Sequence, residues 1–167
     1  MFDSVTAIKV SITDLLAKQR KGRYFRDALS IPLSKPQLTP GNIQHRIFAY
    51  MPIWGNKLMS LGNAIVGCFG LTVEQDSRLH GKEDLQLGDS AAFMKVIDCE
   101  GDEIISYAQD KHMDFSLSVT KRDRHAIIST LVNKKTYFGW LYVNFIVPFH
   151  WVIVRTVLAG AVKKGRV

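Results

Sequence analysis

With only two cysteines in 167 residues, the chain has no disulfide framework. Cys68 lies in helix-like sequence and Cys99 in strand-like sequence, so both read as small core hydrophobes. Nucleophile elbow, P-loop, dinucleotide fingerprint and zinc-protease motifs are all missing. The run Leu61-Gly62-Asn63-Ala64 lacks fingerprint glycine spacing and follows helix-like sequence. No histidine, cysteine or carboxylate falls at a spacing that would complete a metal site, so neither a metal nor a cofactor is expected. No catalytic residue is marked by a motif. A secretory signal is also missing: Met1 to Lys21 mixes Asp3, Lys9 and Asp14 into its apolar residues. The expected location is therefore cytoplasmic.

Acidic residues are in the minority. Lys and Arg number 22 against 15 Asp and Glu, a formal net charge of +7 that favours anionic partners. The basic residues are scattered in small clusters at Lys18–Arg26, Lys121–Arg124 and Lys163–Arg166, so no nucleic-acid partner is expected. Long apolar runs are scarce, with one exception. Thr136 to Val154 carries no formal charge over nineteen residues, close to the length of a membrane span. Asn144, Pro148 and His150 interrupt it and Arg155 follows at once, which favours a buried helix of a soluble domain. The length suits one domain over residues 1–167.

The first 38 residues are irregular in pattern, and the prolines of IPLSKPQL predict a strand or loop with a short helical turn. Thr39-Pro40 resembles a cap with proline in the first turn, opening a helix over Pro40 to Tyr50 with Ile43, Ile47, Phe48 and Met51 on one face. A second helix is predicted from Pro52 to Phe69, with Trp54, Leu58, Leu61 and Ile65 at helical spacing and Gly70 beyond its end. Glu74 to Ser90 reads as a loop with a short strand at Leu85 and Leu87.

The period then changes to two. AAFMKVID, EIISYAQ, HMDFSLSVT and HAIISTLV predict a four-stranded antiparallel meander, turning at Cys99–Asp102, at Asp110-Lys111 and at Lys121–Arg124. Met113, Phe115, Leu117 and Val119 would face a dry side, and His112, Asp114, Ser116, Ser118 and Thr120 a polar one. Tyr137 to about Lys163 predicts a long helix with Pro148 as an internal kink. Trp140, Val143, Val147, Trp151, Val154 and Leu158 form its expected core stripe. The other side is apolar too, so sheet, earlier helices or a partner must cover it. The fold class is α+β, an antiparallel sheet wrapped on a long kinked C-terminal helix with two helices in the N-terminal half.

Three segments resemble a bacterial family, domain of unknown function 2867. They are PIWGNKLMSLGNAIVGCFGL from Pro52, EIISYAQDKHMDFSLSV from Glu103, and YFGWLYVNFIVPFHWVIVRTVL from Tyr137. Trp54 matches an aromatic after the first proline, and Asp110, His112, Asp114 and Phe115 match an Asp-x-His-x-Asp-Phe run. Pro148, Phe149 and His150, then Ile153, Val154 and Arg155, match the C-terminal motif, the most specific of the three. The resemblance extends from about Tyr24 to the end. Tyr107-Ala108 departs from it where a Leu-Gly pair is expected. It implies a helix-grip fold like that of START-like and polyketide-cyclase-like proteins, in which a cavity can lie between sheet and C-terminal helix.

The site expectations follow from both readings. Trp54, Phe115, Phe149 and His150 would line a hydrophobic ligand cavity beside Pro148, making the chain a START-like binder of a small hydrophobic molecule. The alternative is a cyclase- or hydratase-like enzyme that uses His112 or His150 as acid–base, with Asp110 or Asp114 orienting it. Asp110, His112, Asp114 and Arg155 form the candidate polar site. For His112 with Asp114, surface or edge hydrogen bonding is the plainer reading; for His150 and Arg155 it is a structural tie to an acid such as Asp27, Asp110 or Asp114. A third alternative is a membrane-surface or protein-interaction module, because the apolar helix ends in Lys163, Lys164 and Arg166. Peripheral membrane contact and a homo-oligomer are both compatible with such a helix.

Overall fold

A computed structural model describes residues 4–11, 14–48, 83–91 and 94–167. Its frame is one seven-stranded antiparallel sheet with spatial order β1-β2-β7-β6-β5-β4-β3. The strands are β1 (Thr6–Ala7), β2 (Arg23–Pro32), β3 (Ser90–Ala91), β4 (Met94–Glu100), β5 (Glu103–Gln109), β6 (Met113–Arg122) and β7 (His125–Lys134). Helix α1 (Leu15–Lys18) precedes β2, α2 (Pro40–Phe48) follows it, and α3 (Tyr137–Lys163) closes the order. This is an α+β, helix-grip-like arrangement, as the sequence pattern indicates. The predicted helix Pro52–Phe69, with Trp54 and Cys68, lies outside the described residues.

The meander is where the alternation places it, but three strands escape the sequence reading. The largest is β2, which pairs along its whole length with β7, from Arg23 opposite Lys134 to Pro32 opposite His125. Its apolar face alternates as Phe25, Leu29 and Ile31, but Asp27 breaks the pattern where an apolar residue is due. The short strand expected at Leu85 and Leu87 is displaced to Ser90–Ala91, with Leu85 buried and Leu87 exposed. Two-residue turns link β4 to β5 and β6 to β7. Gly101 (φ 57°) takes the left-handed conformation open to glycine at the β4–β5 turn, and Asp123 (φ 50°) takes it between β6 and β7.

One sheet face carries the main core. Leu29, Ile31, Val96, Ile104, Leu117, Val119 and Ile128 pack with Ile43 and Ile47 of α2 and Val157, Leu158 and Ala161 of α3. Burying such side chains stabilises by about 1.5–3 kcal/mol each. Thr39 caps α2, its Oγ1 accepting from the Asn42 amide at 3.1 Å. Buried Gln44 donates from Nε2 to Ser106 Oγ at 2.6 Å, tying α2 to β5.

The opposite face is polar in composition but not open to water. Ser116, Ser118 and Ser129 are buried. The segment around α1 lies across the alternate residues, where Leu16 packs on Ile105 and Leu131. Asp14 accepts from the Ala17 amide to cap α1 and pairs with Arg26 of β2. Gln19 Oε1 accepts from Ser116 Oγ at 2.9 Å.

Helix α3 runs unbroken through Pro148, so the proline lies inside the helix. Thr136 caps its start, accepting from the Gly139 amide at 3.1 Å. Its packing differs from the expected stripe. Gly139, Val143, Val157, Leu158 and Ala161 are buried, but Trp151 is 48% exposed. Trp151 lies about 100° around the helix from His150, which faces the sheet, and is thereby turned off it; the Arg155 guanidinium stacks 4.9 Å from its ring centroid. Cys99 is exposed on β4, correcting its assignment to the core.

Candidate functional site

On the α3 side, His150 reaches the sheet. Its Nε2 lies 3.3 Å from Asp27 Oδ2, and its ring meets Phe25 edge-on at 5.8 Å between centroids. Asp27 is thus the carboxylate that places His150, and this pairing explains the acid that interrupts the apolar face of β2. Phe115 is partly buried and packs against the main core. Phe149, one residue from His150, points away from the sheet and stands beside exposed Phe145 at 5.8 Å. His150 and Phe149 therefore occupy different faces of one helix. Tyr137, Leu141, Phe145, Phe149 and Val152 extend as an exposed apolar strip on the first two-thirds of α3. Phe145 is 65% exposed. By length and composition the helix could cross a bilayer, and only 17% of its most apolar 18-residue window is buried.

The Asp-x-His-x-Asp run forms a corner, not one face of a strand. Asp110 Oδ1 accepts from the amides of His112 at 2.6 Å and Met113 at 2.9 Å, turning the chain so that β6 starts only at Met113. His112 is therefore outside the strand and parted from Asp114, which corrects the expected same-face pair. Its Nδ1 lies 2.9 Å from Thr136 Oγ1, and its ring packs on Phe138 at 4.9 Å. Its carbonyl accepts from the amides of Lys135 and Thr136. The corner seats the start of α3. Tyr142 stands near it, its phenol pKa raised by burial and, to a lesser degree, by the Asp110 charge.

Asp114 enters the opposite face. It is 2% exposed and borders a half-open cleft of about 380 Å³ whose walls include Lys21, Tyr107, Gln109, Asn133 and Lys135. Residues paired across the strands explain this grouping: Asp114 is opposite Gln109 on β5 and Asn133 on β7. Asn133 is fully used, its Oδ1 accepting from the Lys21 amide and its Nδ2 donating to the Gln19 carbonyl, both at 2.9 Å. Lys135 Nζ pairs with Asp114 Oδ1 at 2.5 Å, which supplies the buried carboxylate with a cationic partner. The same ammonium donates to the Asp110 carbonyl at 2.9 Å. Tyr107 bonds through its phenol to Gln109 Oε1 at 3.2 Å. Burial first, and then the nearby Asp114 carboxylate, push the Tyr107 phenol up to about 12. It is neutral near pH 7 and serves as a donor there, not as a base.

The expected residues are thus distributed over three places. Phe115, Phe149 and His150 lie on the α3 side, Asp110 and His112 at the corner, and Asp114 in the opposite cleft; Arg155 stacks on Trp151 away from all three. Tyr107, Gln109 and Lys135 were missed by sequence reasoning. Their signal is strand register, which brings Gln109 beside Asp114 once β5 and β6 are aligned. Among the described residues, no three metal-ligating side chains come together.

No curated protein and no solved structure matches the chain. The sequence pattern of the family described as protein of unknown function (DUF2867) matches residues 20–157, which include the whole sheet from β2 to β7, the Asp110–Asp114 corner and most of α3. The chain belongs to this family.

Proposed function

We propose that this protein binds a small hydrophobic molecule on the α3 side of its sheet, in the manner of START-like proteins. The observation that carries the reading is the exposed strip Leu141, Phe145, Phe149 and Val152 on a helix whose other face is held by the sheet. A contiguous apolar surface of this kind stabilises an apolar occupant by removing both from water. Phe115 and the Phe25–His150 contact hold the other face of α3 to the sheet, which leaves this strip outward. His150 and His112 each have a structural partner, Asp27 and Thr136, which favours binding over acid–base chemistry.

Native mass spectrometry of the gently purified protein should find a bound amphiphile, and a fluorescent fatty-acid probe should bind in competition with it. Phe145→Glu and Phe149→Glu should each weaken the probe at least tenfold. Unchanged probe affinity in both variants would sink the reading. A second reading, peripheral membrane contact, is supported by Lys163, Lys164 and Arg166 after the strip. Co-sedimentation with phosphatidylglycerol vesicles but not phosphatidylcholine vesicles, without uptake of the monomeric probe, would favour that reading.

A further inference from the structure

We infer that the molecule taken by the α3 strip is a single-chain anionic amphiphile, a fatty-acid carboxylate, whose head pairs with Arg155 while its chain lies over Val152, Phe149, Phe145 and Leu141. The inference rests on the reading of that strip as the binding surface, and it adds the head group and the direction in which the molecule lies. Helix α3 carries no Asp or Glu, and Arg155 is its one Lys or Arg before Lys163. Among the described residues no carboxylate pairs with Arg155. Its guanidinium lies instead over the Trp151 ring, 4.9 Å from the centroid.

Helix geometry sets this cation at the end of the strip. Leu141, Phe145, Phe149 and Val152 follow one another by four, four and three positions, which is one line along the helix surface, about 17 Å long. Arg155 comes three positions after Val152 and four after Trp151, both exposed. Helical side chains lean toward the N-terminus, so the half-exposed guanidinium is carried back toward the strip. Stacked by its face, it keeps its N–H edge for an acceptor, and a carboxylate matches that planar fork with two parallel bonds. A cationic head would be repelled there, with no acid on the helix to offset it. The cations at the other end of the strip are already engaged: Lys134 donates to Asn144 at 3.2 Å and Lys135 pairs with Asp114 at 2.5 Å. The head is thereby assigned to the C-terminal end.

The test is calorimetric titration of the full chain with decanoate, decanol and decyltrimethylammonium, each kept monomeric. Decanoate should bind at least tenfold more tightly than either of the others. Arg155→Met, which keeps an apolar stem beside Trp151, should lower decanoate affinity about tenfold and leave decanol affinity unchanged; retained decanol binding also reports that the variant is folded. Arg155→Lys should restore part of the loss. The head-group assignment is overturned, with the strip still a binding surface, if decanol binds the native chain as tightly as decanoate or if Arg155→Met alters both ligands equally or neither. If none of the three binds the native chain, the strip reading falls with it. Co-sedimentation with phosphatidylglycerol vesicles without binding of monomeric decanoate would overturn the assignment in favour of a membrane surface.

Discussion

Gly139 is the point at which α3 rests on the Asp110–Asp114 corner, and it supplies a sharp test of that seating. A Cβ built there would stand 2.4 Å from the His112 carbonyl oxygen and 3.1 Å from its carbon, both backbone atoms that cannot rotate away. The carbonyl is held by the amides of Lys135 at 2.8 Å and Thr136 at 3.3 Å. Gly139→Ala must therefore displace either the helix or the corner. Overpacking costs about 1–3 kcal/mol, and loss of one carbonyl hydrogen bond costs about 1 kcal/mol more. Against this, alanine contributes at most about 1 kcal/mol of helix propensity. The expected net destabilisation is about 1–3 kcal/mol, read from urea unfolding at constant slope. Gly160→Ala is the control in the same helix, since its Cβ would meet only Arg166 Nη2 at 3.7 Å, an ordinary contact. It should be neutral or stabilising by up to about 1 kcal/mol. A Gly139→Ala protein as stable as the native chain, or more so, would refute the seating of α3 on this corner.

Two further outcomes discriminate among packing and electrostatic assignments. Leu158→Ala, at a site with no exposed surface, should destabilise by about 2–5 kcal/mol, whereas Trp151→Ala should lose less than about 1 kcal/mol, the scale of an exposed cation–π contact with Arg155; equal losses in denaturant titration would place Trp151 in the core after all. Because its folded pKa is raised to about 12 from 10.0, the stabilisation conferred by protonated Tyr107 is complete below pH 10 and is lost as pH rises through 12; tyrosinate absorbance of Tyr107→Phe should lack one late-titrating equivalent relative to the native chain, and loss of an equivalent near pH 10 instead would show that Asp114 does not act on it.

Much of the scaffold is legible in the sequence because local and tertiary demands coincide there. The alternation in EIISYAQ, HMDFSLSVT and HAIISTLV, with Gly101 at the turn before the first, specifies strands whose apolar face is buried. The uncharged run after Thr136 specifies α3 through Pro148, since a long apolar face holds the helix despite the missing amide. Strand β2 is hidden because one residue answers to a distant partner: Asp27 is unintelligible as a strand residue until His150 is placed 123 positions later. His112 was misread for a local reason. Asp110 uses its side chain to turn the backbone, and that capping bond outranks the period-two pattern which would otherwise carry the strand back to His112.

The polar face of the sheet shows why composition alone misplaces a site. Alternating Asp114, Ser116 and Ser118 reads as a solvated surface, yet all three are buried. Serine hydroxyls are small enough for the α1 segment to approach closely, and Ser116 finds its partner there in Gln19, while Ser118 donates to Glu103 of the neighbouring strand β5. The covering segment stops short of β6's first residues, and its end is pinned by Asn133 through Lys21 and Gln19. Asp114 is thus left at the margin of the cover, deep enough to lose water and paired there with the Lys135 ammonium. Were the polar face only a solvated surface, Asp114 would need no such enclosure. Were it only a second core, serine and leucine would complete it and the acid would be a cost without return. The acid answers instead to the Lys135 ammonium, and the register of β5, β6 and β7 is what sets the pair beside Tyr107, Gln109 and Asn133.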